Sequence, residues 1–341
     1  MRSQLRPRRR FAWPRVLVSL AALALLIAAC GDGTTTPDTN AEDAGAGAVA
    51  DEEADELAIA FASFDVAVGD GQRLLTGILS TERDLLAHGQ VTFRLGPLGD
   101  QAPNDADLTQ EVTASYLPIP GMEPEGDYDS PRFLSGDPGN GVYAAEADLD
   151  EPGNWRLRVS AELEDGQVLE GETVFTVQEE TGVPAIGDDA PRTINATAAD
   201  AETGEVTPAS IDSRAAGEDA EIPDLHLHDS VIADEIAAGN PVVVAVMTPV
   251  YCVSRFCGPL TGVISDLALE YEDTATFVHL EVWKDHGAGE VNEAASEWIL
   301  PSSGASGNEP WVFLVDGDGQ VINRWDNVLD VDELRAELDV L

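Results

Sequence analysis

Hydrophobic and polar positions along the chain fall into three rhythms. In residues 57–178 short runs alternate with a period of two: IAFASFDVAV, QRLLTGILS, QVTFRLG, EVTASYLPI, GVYAAEADL, NWRLRVSAEL and ETVFTVQ. They are separated by Gly69-Asp70-Gly71, Pro152-Gly153-Asn154 and Asp165-Gly166, which predicts half-buried strands joined by tight turns. Residues 179–222 lose all periodicity and collect Ala, Thr, acids, Pro and Gly, the composition of a structureless interdomain linker. From residue 223 the pattern switches between helix and strand periods. DSVIADEIAAG reads as a helix capped by Asp229 or Ser230 and stopped by Gly239-Asn240. The apolar run PVVVAVM, residues 241–247, is long enough and β-branched enough for a central strand buried on both faces. Then follow a helix over 259–271, a strand over 275–283, a short helix within GEVNEAASEWIL, the strands WVFLV and QVINRW about the turn Asp316-Gly317-Asp318-Gly319, and a final helix DVDELRAELDVL.

The fold class expected is therefore multidomain. Seven strands within residues 57–178 point to an N-terminal all-β immunoglobulin-like sandwich, with Tyr143 and Trp155 as core anchors. Residues 223–341 predict a C-terminal α/β domain. The run GVYAAEADLDEPGNWRLRVSAELEDG resembles, in its strand and turn rhythm, small bacterial extracytoplasmic β-domains of the YtkA-like and copper-resistance-associated type. Met122, Glu123, Glu125, Asp127 and Asp129 lie in a Pro- and Gly-rich stretch between strands and read as loop decoration rather than metal ligands.

Charge narrows the partners. The chain carries a formal net charge of −46, and because its first 29 residues hold six Arg and no acid, the remainder is more acidic still. Such a surface repels nucleic acid and anionic headgroups, so no nucleic-acid partner is expected. Arg6, Arg8, Arg9 and Arg10 precede an apolar run over 16–29 that is short for a membrane span, the make-up of a secretory signal. Its end, Ile27-Ala28-Ala29-Cys30-Gly31, resembles the bacterial lipobox, and Arg8-Arg9-Arg10-Phe11 is similar to a loose twin-arginine signal. The lipobox resemblance implies acylation of Cys30, a membrane-lipid anchor and an extracytoplasmic location on the cell membrane. Residues 30–56 would be an acidic, disordered tether.

With Cys30 assigned to lipid, two thiols remain in an oxidising compartment, Cys252 and Cys257, five positions apart, and they are expected to pair. They follow the buried strand and precede a helix, where open α/β sheets place their sites and where helix N–H groups stabilise a thiolate.

Phe256-Cys257-Gly258-Pro259-Leu260 resembles the thioredoxin active-site run Trp-Cys-Gly-Pro-Cys. Glu309-Pro310 before WVFLV is similar to the cis-proline step facing the thiols in that family, and the closing hairpin and helix fit it too. The resemblance covers 225–341 and implies a thioredoxin-like domain performing thiol–disulfide exchange on protein thiols. Cys257 would attack, aided by Arg255, and Cys252 would resolve. Pro310 and Glu309 would shape a groove with Tyr251, Phe256, Gly258 and Pro259. Leu260 stands where the second family cysteine belongs, so a second alignment, with Cys252 as the first cysteine in an enlarged loop, stays open. No carboxylate is evident within the central strand as a proton acceptor. Two other readings stand beside exchange: a structural Cys252–Cys257 disulfide in a binding or assembly module, and copper delivery of the Sco type with Cys252, Cys257 and His279. His279 is expected to point away from the apolar layer, and His226 and His228, two apart in LHLHD, would share a strand face if extended but are not expected to be ligands.

Overall fold

The computed structural model describes residues 57–98, 108–135, 139–217, 220–254, 256–301 and 307–341. The expected signal, Cys30, the tether and Arg255 lie outside the described residues.

Strict alternation along the N-terminal half produces strands with one buried face. In order they are β1 (Ala58–Phe61), β2 (Gly69–Leu79), β3 (Leu85–Ala87), β4 (Gln90–Pro97), β5 (Gln110–Pro118), β6 (Arg132–Leu134), β7 (Gly141–Leu149), β8 (Gly153–Glu162) and β9 (Val168–Val177). All pair antiparallel, in the order β6-β3-β2-β7-β5-β4-β8-β9 with β1 against β2. This region is all-β, as its pattern predicts. The strands form one continuous hydrogen-bonded path, however, and the pairing does not draw the expected two facing sheets. The path curls back on itself, for Leu57 N donates to Glu170 O at 2.7 Å. Trp155, Leu157, Val159 and Ala161 of β8 point inward with Val91, Phe93 and Leu95 of β4, each large apolar side chain contributing about 1.5–3 kcal/mol on burial. The two expected anchors are buried with their polar tips bonded: Tyr143 Oη donates to His88 O at 2.7 Å and Trp155 Nε1 to Glu151 O at 3.0 Å.

The second region is α/β. Its sheet runs β11-β10-β14-β15, built from β10 (Val242–Met247), β11 (Thr276–Glu281), β14 (Trp311–Val315) and β15 (Val321–Asp326). β10 and β11 are parallel; β14 is antiparallel to both of its neighbours. A small ribbon, β12 (Trp283–Asp285) with β13 (Glu290–Val291), lies outside it. Among the described residues, five α-helices accompany these strands: α1 (Ala198–Thr203), α2 (Ile232–Ala238), α3 (Cys257–Glu270), α4 (Glu293–Ile299) and α5 (Val331–Leu338). All of β10 is buried, and its alternate residues feed two different layers. Val242, Val244 and Val246 meet α2 and α4, while Val243, Ala245 and Met247 meet α3 and α5. That two-sided burial explains why β10 reads as a continuous apolar run rather than an alternation.

The expected structureless linker is corrected. Residues 179–217 wrap the α/β region with single-residue anchors: Val183 and Ala190 join the α2/α4 layer, and Thr193, Asp212, Ser213 and Ala215 are buried. They also complete the α2 start. Val231, not Asp229 or Ser230, is the N-cap; without a capping side chain of its own, Ile232 N finds Asn195 Oδ1 at 2.9 Å and Ala233 N finds Thr193 O at 3.0 Å.

The two regions meet. Arg324 Nη1 bonds Asp65 Oδ2 at 3.1 Å, Arg73 Nη2 bonds Val328 O at 2.8 Å, and Phe64 N donates to Asp326 Oδ2. Beside these, Leu75, Ile119 and Val142 pack on Val328, with Met122 and Phe256 at the edge. The β-region is thus seated on the end of the α/β region that holds the cysteines.

Candidate functional site: the disulfide and two buried polar clusters

Past Met247 the chain leaves the sheet, turns through Thr248 and Pro249, and re-enters as α3. Cys252 N donates to Thr248 O at 3.2 Å to close that turn, and Thr261 Oγ1 donates to Cys257 O at 2.6 Å inside the helix. Cys252 and Cys257 are joined as a disulfide, with Cα atoms 6.0 Å apart. The expected pairing holds. The expected exposure does not: Cys257 is 0% exposed and belongs to the core beneath α3, whereas Cys252 is half-buried, with Ser254 Oγ 3.2 Å from its sulfur. Cys257 is sealed because it is the first residue of a helix whose inner face carries Leu260 and Ile264. Cys257 is therefore closed to an external thiol in this conformation, and of the two cysteines only Cys252 reaches the surface.

Opposite the sulfurs lies the Glu309–Pro310 step, which is cis. A Glu309 carboxylate oxygen and both sulfurs lie within 4.8 Å of one another. Burial, reinforced by the charge of Glu281, pushes the Glu309 carboxyl up to about 7. Glu281, at the end of β11, is buried and accepts from Ser213 N at 2.9 Å and Trp283 N at 3.1 Å; burial raises its carboxyl as well. A carboxylic acid thus stands at the disulfide although the central strand has none.

The other expected groove residues separate. Tyr251 is 40% exposed and stacks on His286 with ring centroids 3.8 Å apart, Trp283 meeting His286 edge-on at 5.1 Å. Gly258 is exposed. Phe256 turns instead into the apolar cluster shared with the β-region, and Pro259 lies under Gly121, where an added Cβ would come within 3.1 Å of the Pro259 Cβ. Those two residues are covered by the β-region and do not wall an open groove.

His279 corrects the sequence reading. It is on the same face of β11 as Phe277 and Glu281, as alternation predicts, but it is buried, because residues 208–217 and 220–228 cover that end of the sheet. Its Nδ1 lies 3.7 Å from Asp212 Oδ2, and its ring meets that of His228 edge-on at 5.2 Å. It groups with Asp212 and His228, and the group completed by the cysteines contains Glu309 instead. The Cys252, Cys257, His279 ligand set required for copper does not assemble. Burial and the charge of His228 lower His279 to about 4. Burial opposes the charge on Asp212, but His228, Arg214 and His279 together hold its carboxyl well below the usual carboxylate range. His226, by contrast, is half-buried, its Nε2 3.1 Å from Ser265 Oγ.

Asp212 gave no signal in the sequence because its segment has no period, and Glu281 was visible only as one member of an alternating face. No protein-family model matches the chain, and no curated protein matches it. Three solved chains match. One, a conjugative transposon lipoprotein from Bacteroides eggerthii DSM 20697, is 12% identical over 36% of this chain and 95% of its own length, with a TM-score of 0.16. A score that low carries no weight on fold or function.

Proposed function

We propose that the protein is a lipid-anchored, extracytoplasmic thiol–disulfide exchange protein of thioredoxin-like fold, acting on protein thiols through Cys252, with Cys257 as the buried resolving partner. One observation carries the reading: an acid poised near neutrality stands within 4.8 Å of both sulfurs, and a disulfide that only pins a loop has no use for it. A client thiolate attacks Cys252 Sγ and the Cys252–Cys257 bond breaks. Cys257 leaves as a thiolate and takes the proton from Glu309. A second client thiolate then attacks the client sulfur of the mixed disulfide, so the client dithiol is oxidised and the pair reduced; the reverse sequence reduces a client. The cis-proline step beside the sulfurs and the strand-loop-helix setting of the cysteines support the thioredoxin-like assignment. The lipobox-like run supports the anchor.

The complete burial of Cys257 favours a second reading, a structural disulfide within a binding module. A titration of the pair's reduction potential separates them. A potential of about −120 to −270 mV supports exchange, and one below about −300 mV leaves a structural bridge.

A further inference from the structure

Three ligating side chains meet in the sealed cluster that exchange leaves unused. Asp212 follows the 3-10 turn Pro208–Ser210, His228 ends the 3-10 turn Leu225–Leu227, and His279 comes from β11. All three are buried, and one ligating atom from each lies within 4.8 Å of the other two. His228 Nε2 and His279 Nδ1 stand 3.4 Å and 3.7 Å from Asp212 Oδ2. An ion bonded tetrahedrally to N and O ligands at about 2.0–2.1 Å separates them by about 3.3 Å, so the spacing is of the right size.

The proton positions sharpen this. His279 Nε2 lies 3.1 Å from the carbonyl oxygen of Met247, which can only accept, so the ring N–H is on Nε2 and Nδ1 presents a lone pair. That lone pair faces a carboxylate. His279 Nδ1 has no hydrogen-bond partner among the described residues, and His228 Nε2 reaches only the Asp212 carboxylate, at 3.4 Å. The His279 lone pair and the Asp212 carboxylate face each other in a dry site and repel unless a cation lies between them. Arg214 bonds the same carboxylate, with Nε at 3.1 Å from each oxygen and Nη2 at 2.6 Å from Oδ2, the oxygen that the two imidazoles also face. Asp224 accepts from the same Nη2 at 2.7 Å, so the guanidinium is balanced and the cluster keeps a carboxylate's negative charge.

We propose that Asp212, His228 and His279 bind one divalent transition-metal ion of the zinc class. Two imidazoles and one carboxylate suit such an ion better than magnesium or calcium, which prefer oxygen ligands alone. The ion clamps residues 208–217 and 220–228 to the sheet. Its grip extends to the disulfide loop, since Ser213 Oγ accepts from Val250 N at 3.2 Å, two residues before Cys252. The inference stands independently of the exchange reading.

The test uses the purified protein with its disulfide oxidised, stripped with a chelator and titrated at neutral pH, with Zn²⁺ by calorimetry and with Co²⁺ by absorption. One ion per chain is expected, with a cobalt spectrum free of thiolate charge transfer. His228→Ala and His279→Ala should each weaken binding at least 100-fold, and the Cys252→Ser, Cys257→Ser double variant should bind as the native protein does. Because a buried substitution can unfold the chain, X-ray absorption of the native zinc complex supplies an independent reading, expected to show two imidazoles and no sulfur. Uptake only at millimolar excess, uptake that survives both histidine substitutions in folded protein, or sulfur in the zinc shell overturns the proposal.

Discussion

Two polar clusters lie at the same end of one sheet, and they treat a carboxylate in opposite ways. Glu309 faces two sulfurs and the negative Glu281 with no cation beside it among the described residues, and its carboxyl rises to about 7. Asp212 is bonded by Arg214 and faced by two imidazoles, and its carboxyl is held low despite complete burial of the side chain. Burial is common to both sites, so burial alone does not decide whether an acid holds its proton; the neighbours do. The first cluster reaches the surface at Cys252 and holds an acid whose charge changes near neutrality. The second is shut off and fixed in charge, which suits it to hold something rather than to turn over.

The largest effect expected from breaking this contrast is on exchange itself. Cys252→Ser and Cys257→Ser should both abolish turnover, but only Cys257→Ser, which leaves the Cys252 thiol free, should accumulate a mixed disulfide with a client that brings its own disulfide, visible on non-reducing gels. Trapping through Cys257 in the Cys252→Ser variant would reverse the assignment of roles. Loss of the short closed loop should cost about 2 kcal/mol in either variant.

Next come the carboxylates, where neutralisation should have opposite signs. Asp212→Asn removes the partner of a partly buried guanidinium and should lower stability by about 3 kcal/mol in urea unfolding. Since the Asp212 carboxyl is depressed, its contribution is present above about pH 3.8 and lost as pH falls below that. Glu309→Gln should instead raise stability at pH 8 by about 1–2 kcal/mol, a figure discounted for the group's partial exposure. The native protein should lose that stability as pH rises from 4.5 through about 7, where the folded-state carboxyl finally ionises, and the variant should not. Exchange should follow the same acid. The ratio of native to Glu309→Gln rate should be about 100 below pH 7 and fall toward one above it; a ratio flat with pH would remove Glu309 from the proton path.

How much of this was legible in the chain follows from where periodicity existed. The buried run of β10, the turn around Asp316 and Gly319 and the Cys252–Cys257 pair were all visible, because each is fixed by local chemistry. Asp316 Oδ1 accepts from Asp318 N at 3.0 Å and Gln320 N at 2.9 Å, a turn that Asp and Gly encode by themselves. Asp212 and the wrap from 179 to 217 were not visible, since a segment that docks through isolated residues such as Val183 and Thr193 leaves no repeating pattern. The exposure of His279 and Cys257 was misjudged for the same reason: strand and helix periods give the face a residue takes, but not what another segment lays over that face. Phe256 shows it most plainly, an aromatic beside a cysteine that points into the neighbouring region rather than toward a client.

The smallest expected effect probes that neighbouring region. Gly121 has φ of 79°, a left-handed conformation that costs a residue with a Cβ about 1 kcal/mol, and the new Cβ would stand 3.1 Å from the Cβ of Pro259. A proline ring in the first turn of a helix yields little, so the loop carrying Gly121 must give instead, and the packing of Met122 beside Phe256 should loosen with it. Gly121→Ala should therefore lower stability by about 1–2 kcal/mol and leave the Asp212 cluster as it was, with zinc affinity unchanged. Exchange through Cys252 should rise, because the lid over the start of α3 is eased. An unchanged exchange rate with the same loss of stability would make the β-region a seat for the cysteine helix and not a gate on it.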